Sequence, residues 1–363
     1  ALIETDNTGD ALEPQIAIDA SGNAIAVWLH FSGSLYSMWT NRYVPGSGRG
    51  SGWGTAAGID IDLTNVSFRD APRLAIDASG NAIAVWSRGD NTTLSIYAVR
   101  YVPGTGWGAP TLIETGPGVA NSPQIAVAAS GNAIAVWSQY NNIYANRYTA
   151  TTGAWGTPTL IEIDNTRSAH SPQIATDAAG NAIAVWSQYD GIRTNIWANR
   201  YTATTGAWDT AALIETDNTG DALEPQIAID ASGNAIAVWL HFSGSLYSMW
   251  TNRYVPGSGR GSGWGTAAGI DIDLTNVSFR DAPRLAIDAS GNAIAVWSRG
   301  DNTTLSIYAV RYVLGTGWGA PTLIETGTGV AYSPQIAIDA SGNAIAVWHQ
   351  HDGTRYNIYA NRY

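Results

Sequence analysis

Apolar and polar positions alternate with a period of two along most of the chain, and no stretch carries the 3.6-residue period of an amphipathic helix. In the first such stretch Ile16 and Ile18 alternate with Gln15, Ala17 and Asp19. Beyond Ser21, Gly22 and Asn23, Ile25 and Val27 alternate with Ala24, Ala26 and Trp28. The pattern predicts two strands joined by a tight turn, because Gly and Asn tolerate the positive φ that hairpin connections demand. A third strand is predicted over Asn142, Ile143, Tyr144, Ala145, Asn146, Arg147 and Tyr148, and a fourth from Trp155 to Glu162. Pro158 places the fourth at a sheet edge, since proline has no N–H to give to a ladder.

The pattern recurs. PQIAIDASGNAIAVW, beginning at Pro14, returns with small changes from Pro72, Pro123, Pro172, Pro225, Pro283 and Pro334, seven copies spaced by 58, 51, 49, 53, 58 and 51 residues. Such a unit accommodates four short strands, here a to d from the axis outward, and two longer loops. The chain opens on a d-type segment, Ala1–Thr5, and stops on a c-type one, Asn361-Arg362-Tyr363. The two ends are therefore expected to complete one blade and close a ring, which leaves only short, protected edges. The expected fold is all-β: a seven-bladed β-propeller with four antiparallel strands per blade, one domain over residues 1–363. An open solenoid is the rival.

The hairpin pattern P-x-[IL]-A-x-[DA]-A-[SA]-G-N-A-I-A-V-W resembles the inner hairpin of NHL-type repeats and of bacterial SBBP-type β-propeller repeats. The resemblance covers Pro14–Trp28 and its six counterparts. It implies the fold and no function, because propellers serve as lectins, scaffolds, lyases, lactonases and hydrolases alike. Residues 1–102 also match 212–313 letter for letter, and the first difference is Pro103 against Leu314.

Composition narrows the field. The formal net charge is −11, and all 18 cationic side chains are Arg. Nucleic acid is excluded as a main partner, since binding a phosphate backbone needs clustered basic residues. No polybasic patch or long apolar run points to membrane insertion, and the first residues lack the basic and apolar regions of a signal peptide. A leader already removed and an extracellular or cell-surface setting fit this picture. With no Cys there is neither a disulfide framework nor a thiolate metal site.

Comparing the seven copies separates scaffold from candidate surface. The a-b turn, the strand-b Trp (Trp28, Trp86, Trp137, Trp186, Trp239, Trp297, Trp348) and the strand-c Arg recur in every unit, as core and structural positions do. The Arg residues are expected to pair with the Glu of the LIE segments, Glu4, Glu114, Glu162, Glu215 and Glu325. Variation concentrates in the d-a and b-c connections, which emerge on one face of an antiparallel blade, and binding residues favour loops held by a rigid scaffold. The candidate ligand-binding residues there are His30, Phe31, Tyr140, Tyr189, His241, Phe242, His349, His351 and Tyr356, aromatic faces and hydrogen bonders that the core does not need. Asp6, Asn7 and Asp10, repeated as Asp217, Asn218 and Asp221, lack the spacing of a calcium loop and read as polar turns. No metal or cofactor is expected.

No G-x-S-x-G, H-E-x-x-H or phosphate-binding loop occurs, and the duplicated units suit several equivalent sites better than one catalytic centre. The functional expectation is a non-enzymatic, lectin-like protein, multivalent through repetition, taking a saccharide or protein ligand on the d-a/b-c loop face. The alternative is a scaffold or protein-interaction propeller without a small ligand. A lyase or hydrolase ranks third, with His170 or His351 as the residues to test.

Overall fold

The computed structural model describes residues 2–5, 8–33, 35–46, 52–60, 70–89, 93–217, 219–244, 246–257, 263–272, 281–300, 305–327 and 329–363. Every described element is a β-strand, and the strands form seven antiparallel sheets, a seven-bladed β-propeller. Two compact units contain the blades: Ala1–Asn165 holds the first three and Thr166–Tyr363 the last four.

In chain order the a strands are Asp10–Ile18, Arg73–Ile76, Ala120–Val127, Ala169–Thr176, Asp221–Ile229, Arg284–Ile287 and Ala331–Ile338. The b strands are Ala24–Ser32, Ala82–Arg88, Ala133–Gln139, Ala182–Tyr189, Ala235–Ser243, Ala293–Arg299 and Ala344–His351. The c strands are Leu35–Tyr43, Ser95–Val102, Asn142–Thr149, Thr194–Thr202, Leu246–Tyr254, Ser306–Val313 and Tyr356–Arg362.

The a-b turns explain the recurrent Asp-x-Ser-Gly-Asn. Asp77 Oδ1 accepts from the backbone N–H of Ser79 and Asn81, and its Oδ2 accepts from Asn81 Nδ2 at 2.8 Å. Gly80 takes φ +82°, a conformation open to glycine at little cost.

The period-two pattern of strand b separates two buried faces rather than a core face from a wet one. Within Thr166–Tyr363, Ile183 and Val185 of the fourth blade pack on Ala235, Ala237 and Trp239 of the fifth. Within Ala1–Asn165, Ile83 and Val85 meet Ala133, Ala135 and Trp137 in the same way. Within each unit, small residues and Trp look back to the preceding blade, while Ile and Val look on to the next. All seven strand-b tryptophans are 0–4% exposed, and Trp86, Trp137, Trp239, Trp297 and Trp348 lie in interblade core clusters.

The fourth strand differs from the expected continuous one. In the third blade it is two pieces, Ala154–Trp155 and Thr159–Leu160, both paired with strand c. Pro158 lies between them and has no N–H to continue the ladder. In the last blade the described sheet has three strands, and Leu2–Thr5 form none. The strand expected from that segment is thus not formed among the described residues. In the fourth blade the counterpart contributes only two residues, Ala212 and Leu213, to its ladder, so little hydrogen bonding is at stake. Ile3 is held instead through its carbonyl, which accepts from Asn41 Nδ2 of the first blade at 2.7 Å.

The strand-c arginines find other partners than those expected. The guanidinium groups of Arg42, Arg100 and Arg311 lie over the rings of Tyr101, Tyr148 and Tyr363 in the following blade, 5.6–5.9 Å from their centroids. Glu114 and Glu325 accept from Gln139 and Gln350. Tryptophans of the outer strand, such as Trp107 and Trp155, pack on the strand-c tyrosines Tyr101 and Tyr148 at 5.4 and 5.5 Å.

Candidate functional site

Each long a strand begins with a β-bulge one or two residues before the repeat's Gln, as between His170 and Gln173 or Tyr332 and Gln335. The bulge residue has positive φ although it is not glycine: Glu13, Ser122, Ser171, Glu224 and Ser333 lie at 52–55°. That conformation is strained for an L side chain, and bulges re-aim the residues beside them, often next to active sites. The residue two before the repeat's Pro is Leu12, Asp70, Asn121, His170, Leu223, Asp281 or Tyr332 in successive blades. A chain that otherwise repeats itself varies here.

In Thr166–Tyr363 consecutive a strands adjoin in the order fourth, fifth, sixth, seventh blade. Their starts carry, in that order, His170 and Ser171, Glu224, Asp281 and Arg284, and Tyr332 and Ser333, and those of the fourth, fifth and seventh blades are bulged. His170 Nδ1 lies 3.3 Å from Ser171 Oγ. Burial holds the His170 imidazole below its ordinary pKa, and the nearby Glu224 carboxylate opposes this only in part. His170 is accordingly a neutral base beside an acidic group. Asp281 locks the seventh bulge, accepting from Ser333 N–H at 2.7 Å and from Ser333 Oγ at 3.3 Å. In Ala1–Asn165 the equivalent arc holds Glu13, Asp70, Arg73 and Ser122. Burial lowers the pKa of Arg73 against the pull of Asp70 and Glu13, and Asp70 accepts from Ser122 N–H at 2.6 Å.

The structure brings three of the nine residues expected from sequence together. His349, His351 and Tyr356 share one face of the last blade with Tyr332, which sequence reasoning had passed over. Tyr332 meets His349 and Tyr356 edge-on at 5.7 and 5.4 Å, and His351 meets Tyr356 at 4.9 Å. The other six stay within their own blades. His30 and His241 are buried, against expectation: each packs on a strand-c Trp of its own blade, Trp39 or Trp250. Phe31 and Phe242 stack on Tyr36 and Tyr247 at 4.6 Å. Tyr140 covers Gly118, where a Cβ would collide with its ring, and Tyr189 donates its hydroxyl to Gly191 O at 2.9 Å. Asp6, Asn7 and Asn218 lie outside the described residues. Among the described residues no three His, Asp or Glu side chains are grouped to hold a metal ion.

No protein-family model and no curated protein sequence matches this chain. Solved structures do. An ulvan lyase, a polysaccharide lyase bound to -[GlcA(1-4)Rha3S]-, superposes with a TM-score of 0.62 at 10% identity over 98% of this chain and 94% of its own. An α-L-arabinofuranosidase from Fusarium graminearum, bound to an iminosugar inhibitor, reaches 0.53 at 11% identity over 99% and 95%. A sialidase from Streptococcus pneumoniae reaches 0.51 at 12% identity over 99% of this chain and 69% of its own. At these identities the likeness is one of fold. Yet each of the three is an enzyme acting on carbohydrate, which overturns the expectation of a non-enzymatic lectin or an inert scaffold. The argument from duplication also fails at the bulge, because blades three, four and seven place Asn121, His170 and Tyr332 there and none has a copy.

Proposed function

We propose that this chain is a polysaccharide-cleaving enzyme that works at the starts of the a strands in its last four blades, with His170 as the proton-abstracting base. The observation that carries the reading is the neutral, half-buried imidazole of His170 beside Glu224, followed by Arg284 and Tyr332 on the next adjoining inner strands. Those groups suit β-elimination from a uronate. His170 takes the proton α to the carboxylate, the electron pair forms a carbon–carbon double bond, and the glycosidic oxygen leaves with a proton from the Tyr332 phenol. Arg284 offsets the charge that builds on the carboxylate, and Glu224 stabilises the imidazolium. The saccharide then lies on the face where the d-a and b-c loops emerge. Kinship with NHL-type or SBBP-type repeats would bear on the scaffold's ancestry and not on this chemistry.

The test is cleavage of ulvan, followed both by new reducing ends and by the ultraviolet absorbance of an unsaturated uronate. His170→Gln should lower turnover by roughly 10²- to 10⁴-fold while leaving the fold intact by circular dichroism. Reducing ends without the absorbance would replace elimination with hydrolysis. If ulvan, arabinan and sialylated glycans all stay uncut, the enzymatic reading is lost.

A further inference from the structure

In most blades the indole N–H of the strand-b Trp has a partner in the protein. In the third blade Trp137 Nε1 donates to Gln139 Oε1 at 3.1 Å, and Gln139 Nε2 donates to Glu114 Oε2 at 3.0 Å. The seventh repeats this chain through Trp348, Gln350 and Glu325. In the second and sixth, Trp86 and Trp297 donate to Asp60 and Asp271. The fifth blade has His241 where the third has Gln139, and its chain is broken: Trp239 Nε1, His241 Nε2 and Glu215 Oε2 are all buried and none has a hydrogen-bond partner in the protein. The first blade repeats the break at Trp28 Nε1 and His30 Nε2.

Three orphaned polar atoms in one interior cost more than a well-packed protein tolerates without compensation. Their chemistry specifies what would satisfy them. Trp239 Nε1 is a donor only. With its proton on the other ring nitrogen, beside the Asp217 backbone, His241 presents a lone pair at Nε2, and Glu215 Oε2 is an acceptor once the carboxyl ionises, which burial delays to about pH 7. With Glu215 ionised, the occupant must accept one hydrogen bond and donate two. A cation would be repelled by the indole N–H, and an anion by Glu215 and the imidazole lone pair.

We propose that the fifth blade holds an ordered internal water, accepting from Trp239 Nε1 and donating to His241 Nε2 and Glu215 Oε2, and that the first blade holds its counterpart against Trp28 and His30. Water takes the place of the Gln carboxamide, which bridges Trp to Glu in the third and seventh blades. Buried waters typically have about three such partners.

A high-resolution crystal structure of the whole chain tests this. The expected result is one solvent peak about 2.7–3.2 Å from each of the three atoms in the fifth blade, a matching peak in the first, and none between Trp137 and Gln139. In His241→Gln the peak should vanish from the fifth blade and persist in the first, with thermal stability equal to or above that of the parent. An empty site, or a His241 ring turned to meet Trp239 directly, would overturn the proposal. So would a peak about 2.0–2.1 Å from Nε2 that disappears after EDTA treatment, since that is a metal distance.

Discussion

Glu215 is buried and His170 half-buried, and burial drives them in opposite directions because the neutral form is the acid in one and the base in the other. Burial pushes Glu215 up to about 7 from 4.5, more than the hydrogen bond from Asp217 N–H can offset. Below pH 4.5 both folded and unfolded chains hold this proton, and its contribution to stability is whole. As pH rises from there through about 7, the unfolded chain releases the proton first and that stability is lost. The melting temperature should therefore fall across this window, and Glu215→Gln should flatten the fall; equal slopes in the two proteins would remove Glu215 as the cause. His170 is shifted down, so its imidazole stays neutral, and able to take a proton, to below pH 6.5. The acid limb of kcat/KM on a cleaved polysaccharide should accordingly lie under that value, and a limb above it would count against His170 as the base.

Among elements, the a-b hairpin was legible in the letters because its determinants are local. Asp, Gly and Asn sit within five residues and bond to one another, as Asp288 does with Ser290 and Asn292. The third blade supplies a natural deletion: Ala128 replaces the Asp, and the turn keeps its backbone bonds, Ala128 N–H to Asn132 O and Gly131 N–H to Ala128 O, without the carboxylate. Ala128→Asp should restore three hydrogen bonds and raise stability by about 1 kcal/mol, read from urea unfolding. No gain would mean that crowding by the nearby Asp77 carboxylate, 3.2 Å from a Cβ on Gly131, cancels them. Arg42, Arg100 and Arg311 were misassigned because their partner, a Tyr of the next blade, is invisible to any pattern confined to one repeat. The bulge was missed for a related reason: Ser171 and Glu224 look like ordinary strand-entry residues, and only their φ marks them.

At the scale of the molecule, seven repeats fixed the blade count, while of the proposed site only His170 was singled out, as a residue to test for a third-ranked lyase or hydrolase, because the site is spread one residue per blade. His170, Glu224, Arg284 and Tyr332 are separated by 54, 60 and 48 positions, so no contiguous motif contains two of them. For His170 and Tyr332 the signal lay in the variable column two before the repeat's Pro, and it gains meaning only once the inner strands adjoin; Glu224 and Arg284 lie outside that column. Burial likewise belongs to neighbours rather than letters. Ile16 and Ile18 of the first blade are 63% and 65% exposed, whereas the same residues in the fifth, Ile227 and Ile229, are half covered beside the fourth blade. The matching segments 1–102 and 212–313 carry this further, for their b and c strands pair in identical register, Trp28 with Trp39 and Trp239 with Trp250. To a folding chain these are synonyms. A strand that chooses the wrong copy, in its own chain or in another, satisfies every local bond and receives no energetic signal of the error. Refolding should thus yield exchanged dimers in a proportion that grows with protein concentration, measurable by size exclusion. Recoding one copy, by exchanging several of its b and c pairs for different apolar ones, should suppress them, and monomer alone at every concentration would show that the chain resolves the ambiguity by other means.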